Sequence, residues 1–154
     1  MTELHDEIRA LAAQYPEQDS VILPALRLAQ ERHGWLPPEA LREVGEALDL
    51  SPAYCKAVAS FYDFFHLEPI GEHLVEVCTN VSCALLGAQA TLEAFEAELS
   101  INAGETSTDG KVTLRVVECY GGCGFGPVVA VDERYREPVG PDDVPAIVEE
   151  LRRG

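Results

Sequence analysis

A chain of 154 residues, 47% hydrophobic and 25% charged, is sized for one soluble globular domain or one domain with a small appendage. Its 27 acidic and 11 basic residues give a net charge of −16, which argues against nucleic acid or an anionic membrane surface as partner and favours approach to a basic surface. The longest uncharged stretch, Val77 to Leu92, is too short and too polar to span a bilayer, and the acidic start at Glu3, Asp6 and Glu7 is not that of a signal peptide. No direct membrane insertion and a cytoplasmic site are therefore expected, where cysteines stay reduced and the question shifts from disulfides to metal.

Residues 1–66 read as a helical bundle. Leu4, Ile8, Leu11, Ala12 and Tyr15 fall on one helical face, which Pro16 ends. Ser20 can cap a second helix that buries Ile22, Ala25, Leu26 and Ala29 and stops at Gly34. Pro37-Pro38 starts a third helix with Leu41, Val44 and Leu48 inward. Ser51-Pro52 opens a fourth, running through Tyr54, Val58 and Phe61. Each stripe must be buried against the others or against the next unit.

The period changes after Pro69-Ile70-Gly71, and residues 67–154 read as a sheet domain. His73 to Val77 is a short strand leading into Cys78. A helix carries Leu85, Leu92, Phe95 and Leu99, and a turn-rich loop spans Ala103 to Gly110. Val112, Leu114 and Val116 alternate with Lys111, Thr113 and Arg115, which marks a half-buried strand leading toward Cys119. Pro127 to Val131 is a third strand, and Tyr135 to Val139 a fourth after a tight turn at Asp132 to Arg134. A closing helix, capped by Asp142, buries Val144, Ile147, Val148 and Leu151. The fold class is α+β, with a thioredoxin-like order of strands and helices after the bundle.

Four of the five cysteines form two close pairs, Cys78 with Cys83 and Cys119 with Cys123, each just after a strand. If those two strands are parallel neighbours, both loops meet at one rim. A [2Fe–2S] cluster asks each iron for two thiolates, so Cys78 and Cys83 suit one iron and Cys119 and Cys123 the other. Cys83 is expected at a helix start, where backbone N–H groups stabilise a thiolate. Gly121, Gly122 and Gly124 let backbone come close to the sulfurs. Spacing alone leaves structural zinc, paired disulfides and a dithiol redox site open. Cys55 has no nearby partner and reads as a small buried hydrophobe. His5, His33, His66 and His73 show no metal-ligand spacing. Trp35 and the run Phe61 to Phe65 read as packing between bundle and sheet domain rather than a partner surface. No loop resembles a phosphate cradle, so no nucleotide site is expected on this chain.

The wider set of motifs is more specific. His33-Gly34-Trp35-Leu36-Pro37, Ala59-Ser60-Phe61-Tyr62 and Pro69-Ile70-Gly71 are followed by Val77-Cys78-Thr79-Asn80-Val81-Ser82-Cys83. Gly104-Glu105-Thr106, Asp109-Gly110, Val117-Glu118-Cys119-Tyr120-Gly121-Gly122-Cys123 and Gly126-Pro127-Val128-Val129 complete the series. From about residue 20 to 150 the chain resembles the E-subunit family of bacterial NADH:quinone oxidoreductase, respiratory complex I. The resemblance implies a helical bundle at 1–66 and a thioredoxin-like [2Fe–2S] ferredoxin domain at 67–154. It also implies one [2Fe–2S] cluster on Cys78, Cys83, Cys119 and Cys123. As partners it implies the flavin- and NADH-binding subunit and further complex I subunits, with the assembly held at the inner face of the cell membrane. The same family serves NAD-linked formate dehydrogenases and hydrogenases, and a zinc-stabilised interaction module is the rival of a different class. The family's second cysteine pair is usually Cys-Leu-Gly-Ala-Cys, whereas Tyr120 and Gly122 stand here, and Gly126 replaces the usual alanine before proline.

Overall fold

The computed structural model describes residues 3–153. The chain divides into two compact units, one ending at Pro69 and one beginning at Ile70.

The first unit is four helices, α1 (Glu3–Ala12), α2 (Ile22–His33), α3 (Pro38–Leu48) and α4 (Pro52–Ala59). α3 is the central element and packs on α1, α2 and α4. It buries Ala40, Leu41, Val44, Ala47 and Leu48, and α2 buries Ile22, Ala25, Leu26 and Ala29. Ser51 caps α4 by accepting from the Tyr54 N–H, and Gly34 closes α2 at φ 77°. Gln30 ties the segment after α4 to α2: its side-chain nitrogen donates to the Phe64 carbonyl at 2.8 Å and its oxygen accepts from the His66 N–H at 2.7 Å.

Three sequence expectations shift here. α1 stops at Ala12, three residues short of Tyr15, which is exposed. The residue before a proline is steered out of the helical region, so unwinding begins before Pro16. Ser20 does not cap α2, because it lies inside a 3₁₀ turn, Gln18–Val21, that runs straight into the helix. α4 turns a different face inward: Cys55 and Ala59 are buried, while Tyr54 is exposed and Phe61, beyond the helix end, is 80% exposed. Phe65 alone of the aromatic run is buried, within the helical core.

The second unit is a four-stranded sheet in the order β2-β1-β3-β4, built from β1 (His73–Cys78), β2 (Val112–Val117), β3 (Val129–Val131) and β4 (Arg134–Arg136). β1 and β2 are parallel, and the other pairings are antiparallel. Between β1 and β2 run α5 (Val81–Leu85) and α6 (Ala88–Leu99), and α7 (Val144–Arg153) closes the chain. Val75, Val77, Leu114, Val129 and Val131 of the sheet form one core with Phe95 and Leu99 of α6 and Val144, Val148 and Leu151 of α7. Asp132 and Glu133, both at positive φ, make the tight β3–β4 turn.

The single helix expected after Cys83 is two, broken at Gly87 with φ 99°; Leu85 thereby leaves the buried stripe and is 83% exposed. Burial also fades along β2. Val116 is exposed, and Thr113 is buried instead because its hydroxyl accepts from the Gly71 N–H and pairs with Thr106 at 2.7 Å. α7 is entered through a 3₁₀ turn, Pro141–Asp143, where Asp143 rather than Asp142 accepts from the Gly140 N–H at 2.8 Å. Among the described residues, no helix is long and apolar enough to cross a membrane.

Candidate metal centre

Parallel pairing decides where the cysteines go. Cys78 is the last residue of β1 and lies opposite Val117, the last of β2. Both strands point the same way, so the chain leaves both at one rim of the sheet, and Cys119 follows two residues past Val117. The two ends are stitched together. The Cys78 N–H donates to the Val128 carbonyl and the Thr79 N–H to the Val117 carbonyl, both at 3.0 Å. Asn80 then caps α5 by accepting from the Val81 N–H at 2.8 Å, and one turn later α5 presents Cys83.

The four thiols occupy two environments. Cys78 and Cys83 are buried with Ala88 and Val128, whereas Cys119 and Cys123 are exposed in the glycine-rich loop. Burial pushes the Cys83 thiol up; a backbone hydrogen bond with Val128 opposes this, while a hydrogen bond with Cys78 and the charges of Cys78 and Cys123 add to it. Desolvation by burial is the largest of these effects on Cys83. The Cys78 sulfur also lies 3.8 Å from the Glu118 carbonyl, next to Cys119. Among the described residues, no three or more His, Cys, Asp or Glu side chains are gathered as a group that could hold a metal ion.

Two glycines shape the rim. Gly121, at φ +74°, turns its N–H onto the Cys119 sulfur at 3.2 Å. Gly126 passes so close that an added Cβ would stand 3.3 Å from the Cys83 sulfur and 2.9 Å from a Leu86 methyl. Cys55, by contrast, is fully buried in the helical unit, where burial raises its thiol pKa.

Under the second loop Tyr120, noted in the sequence as a departure from the usual motif, joins Glu76 and Tyr135, which sequence reasoning did not single out as site residues. Glu76 of β1 is only 7% exposed, and the Tyr120 hydroxyl donates to its carboxylate. Burial and the bond to Glu76 hold the Tyr120 hydroxyl well above its ordinary pKa. The Tyr135 hydroxyl donates to the Tyr120 carbonyl at 2.9 Å. A signal for Glu76 in the sequence is an acidic residue inside a mostly apolar strand.

Residues 8–152 match the family model of the thioredoxin-like [2Fe–2S] ferredoxins. The chain belongs to that family. It is 42% identical over 149 residues to the E 2 subunit of the NADH-quinone oxidoreductase of Rhizobium meliloti, covering 97% of this chain and 89% of that one. It is 36% identical to the E subunit of the NADH-quinone oxidoreductase of Mycobacterium bovis, covering 99% of this chain but 60% of the relative. The fold is also that of part of a solved NAD+-reducing [NiFe]-hydrogenase, with a TM-score of 0.77 at 24% identity over 86% of this chain and 23% of that chain. The resemblance to the E-subunit family therefore holds over nearly the whole chain, and the cofactor of this ferredoxin is a [2Fe–2S] cluster. The residues at the rim fit such a group. They offer two thiol pairs, a backbone N–H already aimed at one sulfur, and a close-approaching glycine beside another.

Proposed function

We propose that Cys78, Cys83, Cys119 and Cys123 ligate the cluster. We further propose that the protein is the electron-transfer subunit of the NADH-oxidising module of an NADH:quinone oxidoreductase. The observation that carries this reading is the parallel register that ends β1 at Cys78 and β2 at Val117, which brings both cysteine loops to one rim. The 42% identity to an E subunit across 89% of that relative supports the choice of host complex.

A bound [2Fe–2S] cluster supplies one-electron chemistry. The chain's own residues supply the setting. Cys78 and Cys83 are withdrawn from water among Ala88 and Val128, while Cys119 and Cys123 stay at the surface, on the side from which an electron can arrive. The Gly121 N–H donates toward sulfur and so stabilises negative charge there. Val81, Leu85, Leu86 and Phe125 are exposed on the segments that carry Cys83 and Cys123, an apolar surface of the kind a protein partner buries. The proposed partner is the flavin- and NADH-binding subunit, through which the protein would sit peripherally at the inner face of the cell membrane.

Anaerobic mixing tests the reading. Cluster-loaded protein with NADH alone should stay oxidised; addition of the flavin- and NADH-binding subunit should bind it and reduce it, seen as a loss of visible absorption. Reduction by NADH without that subunit, or neither binding nor reduction with it, would contradict the proposal.

A further inference from the structure

Glu76 pairs with Arg115 of β2 and with Ala130 of β3, and Ala130 pairs with Tyr135 of β4. Paired residues share a sheet face, so Arg115, Glu76, Ala130 and Tyr135 form one row across it. Cys78 lies two residues beyond Glu76 and therefore on the same face, about 6–7 Å further along the strand. Tyr120, from the second cysteine loop, closes over this row. Its hydroxyl donates to Glu76, its carbonyl accepts from the Tyr135 hydroxyl at 2.9 Å, and its ring meets that of Tyr135 with centroids 5.2 Å apart. The loop between Cys119 and Cys123 is thus tied to β1 through a side chain and to β4 through its main chain.

Burying a carboxylate is costly, and here it is buried on the face and strand that end in Cys78. Tyr120 answers it by donating its hydroxyl, beside Arg115, which stands opposite Glu76 in the same row. We infer that Glu76 and Tyr120 together tune the reduction potential of the cluster in this chain. Glu76 acts as a fixed negative charge one row from Cys78, and Tyr120 as the donor that tempers it while holding the Cys119–Cys123 loop over the sheet. Reduction adds one electron and no other group, so a nearby anion opposes it, and the opposition is stronger at a site shielded from water. A hydroxyl proton shared with that anion withdraws part of its charge. Both residues act through position; neither is a ligand. The inference rests on the ligand assignment proposed above.

The two roles predict shifts of opposite sign. In the full, cluster-loaded chain, anaerobic redox titration followed by electron paramagnetic resonance should show Glu76→Gln reduced at a higher potential than the parent. Tyr120→Phe should be reduced at a lower one. The double variant should follow Glu76→Gln, because the hydroxyl works through the carboxylate. Loosened packing would not give this pattern. Unchanged potentials, or two shifts of the same sign, would overturn the inference. Should Tyr120→Phe fail to take up a cluster, Glu76→Gln alone decides, and a potential at or below the parent's overturns it. Failure of the ligand assignment would look different, as a cysteine variant that keeps its full iron content.

Discussion

Gly121 shows how much one residue decides at the rim. At φ +74° its backbone turns so that its N–H meets the Cys119 sulfur. A side chain there would cost roughly 1–2 kcal/mol for the left-handed conformation, and more if β-branched. Gly121→Val should therefore displace that donor and lower the cluster content of purified protein, measured as iron per chain. Full occupancy would show that the turn tolerates a Cβ. The glycine and the cysteines are plain in the sequence, because their chemistry is carried by residue type and spacing. Glu76 and Tyr120 are not, because their bond joins positions far apart in the chain and exists only once β1 and the second loop are brought together. Cys83 shows the other limit. A helix start at Cys83 was legible, but the burial that pushes its thiol up comes from packing, which spacing does not reveal.

At the scale of elements, the two units keep separate cores. Leu26 is fully buried in the core of the helical unit, and Phe95 is fully buried in the core of the sheet unit. Phe95→Ala should cost about 3–5 kcal/mol of stability, read as a lower thermal midpoint with earlier bleaching of the visible absorption. Leu26→Ala should cost about 2–5 kcal/mol and leave the visible spectrum of the folded protein unchanged. Equal bleaching by both would show one shared cooperative unit. The buried faces of α2, α3 and α7 follow from apolar periodicity, and the structure keeps them. The misplaced faces, on α4 and in the segment around Leu85, are short runs where several apolar residues crowd together and periodicity allows more than one answer. The break at Gly87 settles one of these and the end of α4 at Ala59 the other.

For the molecule as a whole, a sheet unit with its own core does not need four further helices to hold a rim. We propose that they supply a second surface for the partner, in addition to the exposed apolar residues on the segments that carry Cys83 and Cys123. A chain beginning at Ile70 should keep its cluster and bind the flavoprotein subunit more weakly, measured by titration of the loaded protein. Undiminished affinity would place the whole contact on the sheet unit. The net charge of −16 fits approach to a basic partner surface, which composition alone made legible. The meeting of the two cysteine loops was legible only as a condition, since periodicity reveals strands but not whether they run parallel. Iron and acid-labile sulfide, counted together with the resonance of the reduced centre, test that meeting most directly. The parent chain and Cys55→Ala should each hold two irons and two sulfides per chain and give one signal. Alanine at Cys78, Cys83, Cys119 or Cys123 should abolish or severely deplete both; an intact centre in any of these four, or its loss in Cys55→Ala, would contradict the assignment.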